Sequence, residues 1–311
     1  MIDTLTIGIR FALYVNLMLL FGLPLFGLYA LKGAERLHGN VLPFRALATW
    51  LSATGIALSV LSIIAMTASM AGVTLLEVDR ASVSMMISET PMGQAWAVRM
   101  AALSTTLTIA TVMGQRKAPA WLMLVSLGSA TALASLAWTG HGAASEGVAG
   151  TRHLIADIVH LLAAGAWIGA LAALGAMLFR PARSMSKDHI LLTHRALEGF
   201  SLIGTAIVVL IVVSGLLNSW VLVGPEHLLS MSSTLYGQLL IAKLALFGVM
   251  LVLAAANRFR LTPAFRRTIE GGGTLPAISR LRRSLIFEVS AALLILGLVA
   301  WLGTLEPPMS M

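Results

Sequence analysis

Apolar residues run along the chain in eight long blocks separated by short polar breaks, at about 5–31, 44–72, 92–113, 119–138, 152–179, 196–222, 235–257 and 284–303. Each block reaches the roughly 20 residues that a helix needs to cross a bilayer. Long apolar runs dominate, rather than the short alternating runs of half-buried strands. The pattern predicts an all-α fold: a polytopic membrane protein of eight transmembrane helices, forming a single integral membrane domain over residues 1–311. The first block lacks a basic leader and a small-residue cleavage site, so it reads as a span rather than a cleaved signal. The longest polar break, about 258–283, is Arg-rich, contains Gly271-Gly272-Gly273 and reads as a loop.

Composition agrees. Apolar residues make up 58% of the chain and charged residues 11%, against roughly 25% charged in soluble domains. The net charge of +8 would suggest nucleic acid in a soluble protein; here it sits in short loops, so the partner it implies is the lipid bilayer and no nucleic acid. Sixteen of the 21 Lys and Arg residues fall in alternate loops on one side, and only Arg80 and Arg152 on the other. The positive-inside rule makes the basic side cytoplasmic. Both termini and the 138–152 loop are then periplasmic. Trp96, Trp138, Trp220 and Trp301 fall near the outer interface and Trp50 and Trp121 near the inner one, as an aromatic belt requires.

The chemistry concentrates in one stretch. Trp138-Thr139-Gly140-His141 opens a Gly-rich loop that leads into the fifth predicted helix, where His153, Asp157 and His160 follow at spacings of four and three. Those spacings place the three on one helix face, and Trp167 continues the stripe seven residues on. Two imidazoles and a carboxylate are transition-metal ligands. The chain has no cysteine, which excludes thiolate sites and disulfides. At 1.5 Å rise per residue, His160 lies roughly 10 Å deeper than His153, and ionisable groups at that depth mark functional pathways. Asp157 reads either as a ligand or as an acceptor that fixes an imidazole tautomer, or else as the partner of a membrane cation. His141, among small neighbours, either folds over the helix as a third imidazole or belongs to an ordinary exposed loop. The predicted metal residues are thus His141, His153, Asp157 and His160.

Two further groups of residues bear on the site. Methionines Met66, Met70, Met85, Met86, Met92, Met231, Met309 and Met311 fall on the outer side, and thioethers favour Cu(I), although most methionines simply pack. Arg10, Arg99 and Lys243 lie within spans, in the outer half. They neutralise Asp157 or hold an anionic group. Glu288 and Glu198 fall nearer the cytoplasmic ends of their helices.

Over about 138–260 the sequence resembles the copper resistance protein D (CopD) family of bacterial inner-membrane proteins. The residues that carry the resemblance are Trp138, His141, the run from His153 through His160 to Trp167-Ile168-Gly169, Phe200-Ser201, Ser214-Gly215, Asn218, Tyr236-Gly237-Gln238, Lys243 and Asn257-Arg258. The resemblance implies copper handling in the inner membrane, with copper moving inward. It implies His141, His153 and His160 as ligand positions, and a periplasmic CopC-type copper-binding protein as partner. Copper ion is the expected bound species. No nucleophile constellation, phosphate loop or ATPase motif is visible, so no enzymatic activity is expected. Two other readings stay open: a membrane redox protein of the b-type cytochrome kind, disfavoured because both membrane histidines lie on one helix, and a copper sensor or assembly factor that transports nothing.

Overall fold

The computed structural model describes residues 2–36, 41–113, 118–139, 147–181, 186–224, 231–271 and 275–305. The helices are α1 (Ile2–Ala30), α2 (Phe44–Ala71), α3 (Arg80–Glu89), α4 (Pro91–Val112), α5 (Ala118–Ala134), α6 (Gly147–Leu178), α7 (Lys187–Val223), α8 (Leu235–Ala256), α9 (Thr262–Gly271) and α10 (Leu275–Leu302). Eight segments are long and apolar enough to span a bilayer, as the hydropathy pattern predicts. A 3-10 turn, Ser135–Thr139, extends α5.

Helix starts follow local chemistry. Thr90 caps α4, its hydroxyl accepting from the Gly93 N–H at 3.0 Å, with Pro91 in the first turn where its missing N–H costs nothing. Ser186 and Thr234 cap α7 and α8 in the same way. At the basic end of the bundle the arginines act as C-caps as well as topology signals. Arg36 donates to the carbonyls of Gly27 and Leu28, Arg45 to those of Ala110 and Thr111, and Arg282 to those of Leu178 and Arg180. The last carbonyls of α1, α4 and α6 lack intrahelical donors and carry the negative end of the helix dipole, which is why cations gather there.

α1 and α6 form the centre. α1 packs against α2, α5, α6 and α10, and α6 against α1, α7 and α10. Their contact is backbone on backbone: a Cβ placed on Gly22 would lie 2.7 Å from Gly169 Cα and would overlap the Gly165 carbonyl. Gly165 and Gly169, four apart, form the small-residue stripe that lets membrane helices approach closely. Leu17, Leu20, Phe26, Leu133, Ala170 and Met177 are sealed around that seam.

Three boundaries differ from the hydropathy pattern. α7 begins at Lys187 rather than about 196, because six of its first nine residues are polar and continue the helix past the apolar block, with His189 and His194 buried. The break expected as a loop over about 258–283 holds a π turn (Asn257–Leu261), α9 and the first turns of α10. Phe265 explains α9: it is 1% exposed and packs on His194, with ring centroids 5.8 Å apart. The outer 73–91 region, read only as a break, holds α3 behind an Asp79 cap.

Candidate metal site

His153, Asp157 and His160 lie on one face of α6 and line the same cavity of about 170 Å³, at the end of the bundle opposite the arginines. α1 contributes Arg10 and Tyr14, α7 contributes Asn218 and Ser219, and α8 contributes Tyr236 and Lys243. His153 is 3% exposed.

α7 runs antiparallel to α6 and supplies a polar partner at each level. At the deeper level His160 Nδ1 lies 3.0 Å from Ser214 Oγ. One turn nearer the cavity mouth, Asn218 Nδ2 donates to Asp157 Oδ1 at 3.2 Å. Ser214 and Asn218 are four apart, so they share a face of α7 as Asp157 and His160 share a face of α6. The Ser214 hydroxyl has one proton, and it goes to the Leu210 carbonyl at 2.5 Å. Ser214 Oγ therefore accepts from His160, which places the imidazole proton on Nδ1 and leaves the Nε2 lone pair for a metal ion. The ring lies against Gly215, where an added Cβ would come 3.3 Å from Cε1.

Lys243 projects into the same cavity, within electrostatic reach of Asp157 and His160. Arg10 sits at the mouth against Gly303, where a Cβ would lie 2.8 Å from Cζ. Arg99 does not line the cavity: it is 1% exposed inside the bundle, within electrostatic reach of Tyr14 on the cavity wall. Of the three span cations, Lys243 is the one within electrostatic reach of Asp157.

Among the described residues no three His, Asp or Glu side chains converge on one point to chelate a single ion. The stripe is a ladder of ligand positions along one cavity wall. His141, the fourth predicted metal residue, lies outside the described residues. No other described histidine joins the cavity lining, since His189 and His194 sit at the basic end, with His189 on the Met177 carbonyl at 2.9 Å.

The cavity continues in both directions. Toward the mouth it shares Arg10, Tyr14, Leu136 and Gly303 with a second cavity of about 320 Å³ lined by Met66 and Met70 of α2 and Met92 of α4. The sequence placed these three thioethers on the outer side; their meeting on one wall was not legible, because Met92 is separated from the others by the whole of α3. Toward the basic end His160 and Lys243 also line an apolar cavity of about 460 Å³ that reaches Trp167. Trp167 in turn separates it from a cavity of about 210 Å³ that contains Asn257 and Glu288. Trp167 stacks edge-on against Phe200, with centroids 5.6 Å apart.

Eight spans around a cavity that two imidazoles and a carboxylate line define a polytopic helical membrane protein. Comparison with known proteins supplies the family. Residues 1–151 match the copper resistance protein D-like N-terminal domain and residues 194–302 match copper resistance protein D. The chain is 48% identical to a copper resistance protein D of Pseudomonas syringae pv. tomato, over 99% of this chain and 98% of that one. It is 27% identical to the inner membrane protein YebZ of Escherichia coli over 97% of this chain and 98% of the relative. A 136-residue stretch, 44% of this chain and 24% of the relative, is 35% identical to the copper transport protein CutJ of Bacillus subtilis. No solved structure matches. This chain belongs to the copper resistance protein D family and is a multi-pass protein of the inner membrane.

Proposed function

We propose that this protein takes up copper ions from the periplasm and moves them toward the cytoplasm. The observation that carries the reading is the single cavity in which His153, Asp157 and His160 stand in sequence along α6, two of them held by α7. Copper, as cargo, meets the thioethers of Met66, Met70 and Met92 first, which suit Cu(I), and passes to imidazole and carboxylate. His141 belongs to the same entry route. A periplasmic CopC-type copper-binding protein delivers the ion to this end. The protein binds and transfers without making or breaking covalent bonds, so it is not an enzyme. The names of relatives, one for copper resistance and one for copper transport, support the cargo.

Metal analysis of protein purified from copper-supplemented cells, beside a His153→Ala/His160→Ala variant, tests the site. At least one copper per chain, lost in the variant and without a Soret band, is expected. Unchanged copper in the variant, or iron with a Soret band, sinks the reading. Copper uptake by vesicles then separates a transporter from a sensor or assembly factor, which would bind and not move the ion.

A further inference from the structure

Glu288 of α10 lies inside the Pro276–Leu302 span and is 2% exposed. It takes no part in the copper ladder, since it lines the cavity on the far side of Trp167. Ionisable side chains at such positions mark proton relays and ion pathways. Asn257 faces it: the amide Nδ2 donates to Glu288 Oε1. Asn257 is the first residue of the π turn that ends α8, and the extra residue in that turn re-aims the side chain out of helical register.

The other half of the Asn257 amide carries the argument. Its Oδ1 is buried and has no hydrogen-bond partner. A carboxylate only accepts, and so it can satisfy the amide N–H and never the amide oxygen. A carboxylic acid both accepts and donates. A side-chain amide matches it in a two-bond ring, N–H to acid carbonyl and acid O–H to amide carbonyl. Protonation of Glu288 would supply the kind of donor that the orphaned Asn257 oxygen lacks.

Among the described residues the rest of the cavity wall supplies no second carboxylate and no imidazole. α7 presents Ser201 and Thr205, α9 presents Thr262, and α6 presents Trp167. Arg258 is the one cation among the described lining residues, and its Nη1 is engaged by Thr205 Oγ1. Arg258, Phe259 and Thr262 place the cavity at the basic end of the bundle. We propose that Glu288 and Asn257 form a proton-exchange site, in which Glu288 takes a proton from water at the basic end and returns it there, with Asn257 pairing both forms. Its coupling to copper movement rests on the transport reading; the proton exchange itself does not.

Infrared difference spectra of the full chain, titrated from alkaline to acid, test the site directly. The expected result is a protonated-carboxyl C=O band that grows on acidification, moves in D₂O and is missing in Glu288→Gln. Asn257→Leu should keep the band and shift its frequency, because the carbonyl loses its donor. Titratable carboxyl bands that superimpose in wild type and Glu288→Gln overturn the proposal, as does a band unmoved by Asn257→Leu should Glu288→Gln fail to fold. In proteoliposomes, wild-type copper uptake should respond to an imposed proton gradient and Glu288→Gln uptake should not; equal responses refute the coupling. Should the wild type take up no copper at all, the transport reading fails and the infrared result still decides the proton site.

Discussion

Ser214→Ala tests the derivation of the His160 tautomer. The hydroxyl accepts the imidazole Nδ1–H at 3.0 Å and is itself fixed by its bond to the Leu210 carbonyl. Alanine removes the acceptor and nothing of comparable size. Two costs follow. The imidazole keeps a donor without its partner, which in a buried setting costs about 1–3 kcal/mol of stability. The ring also loses the bond that holds Nε2 toward the cavity, and loss of such an orienting partner typically lowers metal affinity 10–100-fold, or roughly 1.4–2.8 kcal/mol. Ser214→Thr keeps the hydroxyl and should recover most of the affinity if the extra methyl is accommodated. The assay is competition for Cu(I) or Ag(I) against a chromophoric chelator, with purified protein in detergent, beside thermal melts of each variant. The expected order of affinity is wild type, Ser214→Thr, Ser214→Ala, His160→Ala. Ser214→Ala with wild-type affinity would show that His160 needs no orienting partner, or that it binds through the other nitrogen.

Other outcomes follow from the same geometry. Lys243→Met removes a positive charge from the cavity wall; at an effective dielectric near 20, unit charges within one cavity interact by roughly a few kcal/mol, so cation affinity in the competition assay should rise, and a fall would show that Lys243 instead maintains the site. Gly169→Leu forces α1 from α6, where even a Cβ overlaps Gly22; overpacking of this kind costs about 1–3 kcal/mol or more, and a melt like that of wild type would disprove the close seam. Gly175→Ala, whose Cβ meets only Leu285 Cδ2 at 3.6 Å, is the tolerant control. Arg282→Leu strips two bonds from the end of α6 and should lower the melting temperature by an amount equivalent to about 1–3 kcal/mol. Burial of Glu35 raises its carboxyl pKa, but the bonds from Arg195, at 2.5 Å, and from the Lys32 N–H outweigh this and hold it below the usual value. Its contribution is therefore present above the ordinary carboxylate range and lost as pH falls through the lowered value. Glu35→Gln should flatten that acid limb by less than about 1 kcal/mol, the pair being partly exposed.

The eight spans were legible because membrane insertion is written in run length, and run length is local. What lay hidden has a common physical origin. α3, α9 and the first turns of α7 are helices held by a few buried residues, such as Met86, Phe265 and His194, and hydropathy averaged over a window does not see them. The α6 stripe was legible because 3.6-residue periodicity places His153, Asp157 and His160 on one face whatever they touch. Its partners were not. Ser214 and Asn218 stand one turn apart on α7, a spacing common to countless helix pairs, and only antiparallel packing at the right height sets them opposite His160 and Asp157. Lys243 likewise read as one of three unassigned cations until the cavity separated it from Arg99.

The polar groups along α6 also explain why the bundle packs as it does. A membrane interior offers no water to buried polar groups, so each must find its partner within the protein. The glycine seam between α1 and α6 leaves another face of α6 to a cavity that α1, α7, α8 and α10 line with it, and that face carries the ladder. Tight backbone contact on one side and polar pairing on the other give α6 two different tasks. A helix held by close packing at Gly165 and Gly169 cannot rotate far without clash, so its ligands keep one height and one direction. α7, α8 and α10 present apolar surfaces to the cavity near Trp167. Passage beyond His160 would have to open between those helices and Trp167, which makes Trp167 the place to look for a gate. Trp167→Ala should raise copper flux if the indole is the barrier, while Cu(I) affinity at the ladder stays at the wild-type value; reduced affinity would mean that Trp167 supports His160 rather than closes the path.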